Sequence, residues 1–471
     1  MQYPSPTFGR LTPLLLCGLL AVPAATPAWA ARDSQPVQRI LINPLGYLTP
    51  VPEFLALGSA MATVHYADPA HLLVTFGVHR LMKRDAEDPP EDADRTIGAF
   101  LVELPSGKVV SRAEWRLHDR AQYLWELGAG RFLLRIHDSL FLIDPGHTAD
   151  PDTRLDPLPG LHFDRRIVSI NVSAEHDLLT VQTTERGPAV VLADGPQTTP
   201  APVLISFYRI LHTAGTHPFE AAGMVRAPAP LALPAHSGGF LEALEADHSR
   251  FSFRFNSGAG TPTSLSDWDT TCYPRSTFVS RSEFVAFGCR GGTERQAMAG
   301  FNLNGEFMWQ QGFYEPHVNP SFVFAPAAGR FALGRILVTP GSETVADLTP
   351  GQITAQEIRV YQTYNGRILF HTTCTPPMRS GQNFALSPDG LHLALIRETP
   401  VLHKATPLEP AYTAHEAAVE IYNLPGLSRQ DQAAVDQARK AAPPDSGSGI
   451  TAALRAAADR AAARAVTSAP A

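Results

Sequence analysis

Phe384-Ala385-Leu386-Ser387-Pro388-Asp389-Gly390-Leu391-His392-Leu393-Ala394-Leu395 reads as an apolar run, a tight turn and a second, alternating apolar run. Pro388 presets the backbone of the turn and Gly390 supplies a positive φ, so the two runs fold back on each other as a hairpin. Looser versions, each a short turn leading into alternating large apolar residues, occur at Asp68–Phe76, Gly128–Leu134, Ala174–Val181, Ala246–Phe253, Ser280–Phe287 and Pro326–Leu333. One phrase recurring along a whole chain means one supersecondary unit used repeatedly, and short strands joined by tight turns make that unit a propeller blade. The expected fold is all-β: a single β-propeller over residues 31–427 with seven four-stranded blades, six or eight being the alternatives.

The apolar runs start at Leu72, Phe132, Leu178, Phe251, Phe284, Phe331 and Leu391, at intervals of 60, 46, 73, 33, 47 and 60 residues. A four-stranded blade takes about 40–45 residues, so most blades carry insertions. The interval of 33 implies a missing strand or an accidental copy. Leu104-Pro105-Ser106-Gly107-Lys108, Asn302-Leu303-Asn304-Gly305-Glu306 and Thr363-Tyr364-Asn365-Gly366-Arg367 each separate two strand-like runs with the glycine a tight hairpin needs. These hairpins are assigned to the third and fourth strands of their blades, and the repeated apolar run to the second. Closure is expected from Arg39-Ile40-Leu41-Ile42 pairing with Val419-Glu420-Ile421-Tyr422, because an open ring leaves unpaired edges.

The phrase from Phe384 to Leu395 resembles the repeat of WD40-like (TolB-type) propellers, in which Ser-Pro-Asp-Gly forms the turn between the first two strands of a blade. The match is good in this blade and degenerate in the other six, so the resemblance implies the fold and nothing finer. The Gly-His and Trp-Asp marks of WD40 repeats are missing, apart from an isolated Trp268-Asp269.

With 471 residues, 44% of them hydrophobic, the chain can bury a large core, and its 35 Gly and 42 Pro suit a turn-rich fold. A formal charge of -7 excludes a broad nucleic-acid footprint, which needs a basic face. Arg10, the apolar stretch Leu11 to Val22 and Ala28-Trp29-Ala30 read as a signal peptide over residues 1–30. Cys17 follows Leu16 where a lipoprotein signal needs a small residue, so no lipid anchor is expected. No long apolar segment follows residue 30, so the mature chain, starting at Ala31, is expected outside the cytoplasm, periplasmic or extracellular, monomeric and without a transmembrane segment.

That compartment permits disulfides. Cys272 precedes a first strand and Cys289 ends the second strand of the same blade, so the hairpin between them brings the sulfurs together; Cys374 is the rival partner. Two regions lie outside the blades. Residues 79–96 are highly charged and read as a solvated loop without the pattern of a calcium site. Residues 428–471 are Ala-rich: Ser428 with Asp431 can cap a helix through Lys440, and Thr451 to Val466 can form another, but with almost no apolar stripe they read as marginal helix or disorder.

Enzyme signatures are sparse. No Gly-x-Ser-x-Gly elbow occurs, and His415-Glu416 begins a zincin-like phrase that fails at Val419. No Cys-x-x-Cys, Walker loop or strand-linked Gly-x-Gly-x-x-Gly is present, so neither a metal nor a cofactor is expected and no catalytic residue can be named. Asn171-Val172-Ser173 is a formal glycosylation sequon. An arginine lies near the end of every assigned second strand: Arg80, Arg135, Arg186, Arg254, Arg290, Arg335 and Arg397. On one face of a disc they would form a rim for carboxylates or phosphates. The alternative is local pairing with acids such as Asp138, Glu185 and Glu398. The functional expectation is a binding or scaffold module for a protein, peptide or glycan partner. The alternative is an enzyme of lyase, lactonase or quinone-dependent dehydrogenase type, with its site in the central pocket.

Overall fold

In the computed structural model of the chain, the turn at Ser387-Pro388-Asp389-Gly390 joins the strands Phe384–Leu386 and His392–His403. Ser387 Oγ accepts from the His392 amide at 2.9 Å, and Asp389 Oδ1 accepts from the Leu391 amide at 3.0 Å. Gly390 has φ 66°, and a Cβ there would meet the Ala328 methyl at 2.5 Å. Both the conformation and the space demand glycine. The structure describes residues 35–78, 95–117, 120–147, 157–162, 165–185, 202–212, 218–258, 261–291, 295–403 and 412–467. The expectations about the signal peptide and the charged loop at 79–94 fall outside these residues.

Seven antiparallel four-stranded sheets follow one another as blades of a ring. Their first strands, in order, are Ala62–Asp68, Leu124–Gly128, Arg166–Val172, Ala235–His236, Arg275–Phe278, His317–Ala325 and Phe384–Leu386. Six of the seven repeated apolar runs are second strands, beginning with His71–Val78 in blade 1 and ending with His392–His403 in blade 7. The exception corrects the sequence assignment. Phe251 lies in Arg250–Ser257, the third strand of blade 4, whose second strand is Gly239–Asp247. The phrase at Asp247-His248-Ser249 is therefore the two–three hairpin, and this accounts for the short interval. A tight turn before an apolar run looks the same wherever the hairpin sits in a blade.

The ring closes as expected. Gln38–Leu41 is the fourth strand of blade 7, with Arg39 opposite Glu420 and Ile40 opposite Val419. Ile40, Ile42, Val64, Val74, Ile396 and Val419 belong to one apolar cluster joining blade 7 to blade 1. Cys272 and Cys289 form a disulfide with Cα atoms 5.3 Å apart, and Cys374 is a buried free thiol. A loop this short contributes about 3 kcal/mol through the unfolded state.

Among the described residues three α-helices accompany the blades: α1 (Pro52–Ala56), α2 (Arg429–Ala441) and α3 (Gly449–Thr467). The last two lie where the sequence places helices in the Ala-rich tail. Ile450, Leu454 and Ala457 of α3 enter an apolar cluster with Phe207, Val225 and Phe240 of blades 3 and 4. In α2, Val435 is buried and Asp431 closes a capping box with Ser428. Small residues pack tightly enough against a preformed surface to order a helix that lacks a wide apolar stripe. Among the described residues no helix is long and apolar enough to cross a membrane.

Candidate functional site

In an up-and-down blade the one–two and three–four turns share one face of the ring, while the two–three turns and the links between blades lie on the other. Turns of the first kind line a cavity of about 890 Å³. Its wall is divided by chemistry. Blades 6 and 7 supply Phe324, Ala325, Pro326, Ala327, Leu386 and Pro388, all apolar. Among the described residues, every ionisable wall residue apart from Arg439 of α2 comes from blades 1–3: Asp68, His71, Glu126, Asp144, Glu175, His176 and His212.

Local turn chemistry places these groups. Asp68 Oδ1 accepts from the Ala70 amide at 2.7 Å, and its Oδ2 lies 2.8 Å from His71 Nδ1. In blade 3, Ser173 Oγ accepts from the Asp177 amide at 3.0 Å and from the Leu178 amide at 3.0 Å, tightening a turn in which His176 takes φ 55°. Glu175 Oε1 accepts from the Arg281 amide at 3.0 Å, tying blade 3 to blade 5. Gly128 leaves room for imidazoles, since a Cβ there would stand 3.2 Å from His176 Nδ1 and 3.4 Å from His212 Cε1.

Burial tunes the titrating groups. Desolvation pushes the Glu126 carboxyl up to about 7. It holds His176 down at about 4, with His212 adding to the effect, and His65 at about 4, with His176 adding. Among the described residues no group of three or more His, Cys, Asp or Glu side chains is placed to hold a metal ion.

Helix α2 forms part of the cavity wall. Val435 and Arg439 line the cavity, and a Cβ at Gly329 of blade 6 would meet the Val435 side chain at 2.8 Å. The helix is held at its edges. Asp431 accepts from Arg367 Nη2 and from the Tyr364 hydroxyl, both at 3.3 Å, while Ser282 Oγ donates to the Ala438 carbonyl at 2.7 Å.

The arginines singled out from the sequence are largely taken up by the ring. Arg80 and Arg186 lie outside the described residues. Arg135 Nε donates to the His137 carbonyl at 2.8 Å, and Arg290 Nη2 to Gln310 Oε1 at 2.9 Å. Arg254 is in the third strand of blade 4, opposite Glu242, and so is not at the end of a second strand. Arg335 is only 1% exposed and pairs with Glu357 and Glu315, which makes it an internal group rather than part of a rim. Arg397 meets Glu420 at 3.2 Å and the Tyr422 hydroxyl at 3.0 Å. Of the acids named as alternative partners, Glu185 pairs with Arg165, Glu398 accepts from the Tyr47 hydroxyl, and Asp138 accepts from the Ile167 amide.

No family model and no curated protein matches this chain. Solved structures similar to it match at low identity and low TM-score. Pyrococcus horikoshii acylaminoacyl peptidase matches at TM-score 0.43 and 11% identity, over 80% of this chain and 54% of that one. Oligogalacturonate lyase in complex with manganese matches at 0.39 and 9%, over 78% and 97%. Kluyveromyces lactis Hsv2p matches at 0.35 and 10%, over 76% and 99%. The chain spans about half the length of the acylaminoacyl peptidases that it matches. Likenesses of this size say nothing about activity or partner.

The buried histidines predict an acid-labile fold. His65, His176, His236 and His317 titrate near 4 when folded, against about 6.5 when unfolded. Between those values the unfolded chain binds more protons, so their contribution is complete above about 6.5 and is lost as pH falls towards 4. Glu126 and Glu283 act oppositely: both are raised to about 7 by burial, and their contribution is lost as pH rises from about 4.5 to 7. Four groups outweigh two, so the urea midpoint should fall on acidification from pH 6.5 to 4.5. A midpoint that rises over that interval would contradict the assignment.

Proposed function

We propose that this chain is a binding module of the periplasm or cell exterior, monomeric, which takes a protein or peptide partner in its central cavity and performs no chemistry. One observation carries the reading: the blades that line the cavity already pack against a peptide element, α2, whose Val435 and Arg439 complete the wall. A surface that accepts a helix from its own chain is shaped for a peptide rather than a glycan. The disulfide and the leader-like first thirty residues support the compartment.

A second reading draws on Glu126. A carboxyl with a near-neutral pKa in a cavity suits a general acid or base, and this keeps a propeller enzyme of lyase, lactonase or quinone-dependent dehydrogenase type in view.

A photoreactive residue at Ala327, on the cavity wall, tests the first reading against the same residue at Tyr314, which is exposed on the opposite face in the link between blades 5 and 6. Incubated with periplasmic and culture fractions, the intact chain should capture a partner from Ala327 and not from Tyr314. Equal capture from both positions, or none, would overturn the reading.

A further inference from the structure

We infer that the cavity anchors its partner by one lysine side chain, whose apolar stem enters between blades 1 and 2 and whose ammonium meets the carboxylate of Glu126. This rests on the binding-module reading above. Glu126 lies in the first strand of blade 2, Leu124–Gly128, opposite Phe132. Alternate residues of a strand share a face, so Glu126 points the same way as Leu124. Leu124 and Phe132 both belong to the apolar cluster that joins blade 2 to blade 1, together with Leu73, Ile97 and Trp115. Glu126 therefore continues that apolar face to the place where it opens into the cavity.

Among the described residues nothing answers this carboxyl. Neither oxygen takes part in a hydrogen bond or an ion pair, and burial is the sole influence on its titration. An ionised carboxylate is costly to bury alone, and a cation brought to it recovers that cost. The titratable groups nearby do not substitute for one. His65 of blade 1 sets its ring 5.6 Å from that of Phe132, and His176 stands beside Gly128, but burial keeps both neutral at pH 7. Asp68 and His71 are paired with each other. The approach to Glu126 is apolar. Ala67, Leu101 and Val110 of blade 1 line the cavity on the side that Glu126 faces, and Val110 is 41% exposed. A lysine can lay its four methylenes along such side chains and keep the charge at the tip. Its ammonium is a compact point charge, whereas a guanidinium brings a wide fork of five donors. A single carboxyl at the end of an apolar approach suits the former.

The probes are N-acetyl-lysine amide and N-acetyl-norleucine amide, which share a four-carbon stem and differ in the ammonium. Titrated into the intact chain at low salt and followed by NMR, the lysine probe should bind on the order of tenfold more tightly than the norleucine probe. The Glu126→Gln variant should lose that preference. A second measurement does not depend on how the variant folds: in the unaltered chain the lysine probe should shift the amide signals of residues 124–128 and of Leu101 and Val110, and leave those of blades 4 and 5 in place. Equal affinity of the unaltered chain for the two probes, no binding of either, a preference that survives Glu126→Gln, or shifts confined to other blades overturns the inference. Capture from Ala327 without a lysine preference would leave the binding-module reading standing. A lysine preference that depends on Glu126, without any captured partner, would do the reverse.

Discussion

With Glu357 replaced by alanine, the ring is expected to lose roughly 3–5 kcal/mol, read as a lower urea midpoint at pH 7. Glu357 is the hub of blade 6. Its side chain is 6% exposed and that of Arg335, its partner, is 1% exposed. Oε1 accepts from Arg359 Nη2 at 2.8 Å and lies 2.6 Å from His371 Nε2. Burial alone would raise the carboxyl's pKa, but the His371 hydrogen bond and the charges of Arg335 and Arg359 outweigh it and hold the pKa at about 2. Removing the carboxylate strands the Arg335 guanidinium between the ring of Phe313, 4.7 Å away, and the half-exposed Glu315. The double change Arg335→Met with Glu357→Leu should recover most of the loss, since it removes the buried charge along with its partner. A single variant within about 1 kcal/mol of the parent would place the stabilisation of blade 6 elsewhere.

Deleting residues 35–42 is expected to have the other large effect, on the order of 5 kcal/mol, with onset of self-association. Ile42 is fully buried and Ile40 is 8% exposed, so two isoleucines leave the core between blades 7 and 1. The ladder of Gln38–Leu41 goes with them, baring the outer edge of Tyr412–Asn423. Denaturation midpoints report the first loss and sedimentation velocity the second. A deleted chain that stays monomeric with an unchanged midpoint would show that the last blade is complete without its N-terminal strand.

The blades were legible because each carries its own signal in neighbouring residues. Ser387-Pro388-Asp389-Gly390 announces a turn, Asn304-Gly305 and Asn365-Gly366 announce hairpins, and apolar alternation marks the strand that follows. Where local signals coincide they mislead: Asp247-His248-Ser249 has the form of a one–two turn but joins strands two and three. The cavity was not legible for a different reason. Glu126, Glu175, His212 and Arg439 come from blades 2 and 3 and the tail, and only closure of the ring brings them to one wall. A hint lay in the turns themselves, since Asp68, His71, Glu175 and His176 all fall within the repeated phrase. The arginines posed the converse problem. Their recurrence was visible, but the partners that occupy Arg335 and Arg397 sit on other strands, out of reach of any local window. In the tail, Ile450 and Leu454 were too few to signal a buried stripe, and two side chains fitted into an existing surface were enough.

The pairing of Gln38 with Ile421 also sets an order of events. During synthesis or export the strand that emerges first cannot find its neighbour until nearly the last strand has followed. Blades 1–6 can each assemble from adjacent segments as they appear, while blade 7 has to wait. Until then the growing molecule is an open arc with a bare strand at each end, and those two ends suit each other better than they suit anything else nearby. The same design makes the product all or nothing. A chain that stops short of Val419 cannot close its ring, and its unpaired ends expose the kind of edge by which unfinished proteins are drawn into aggregates.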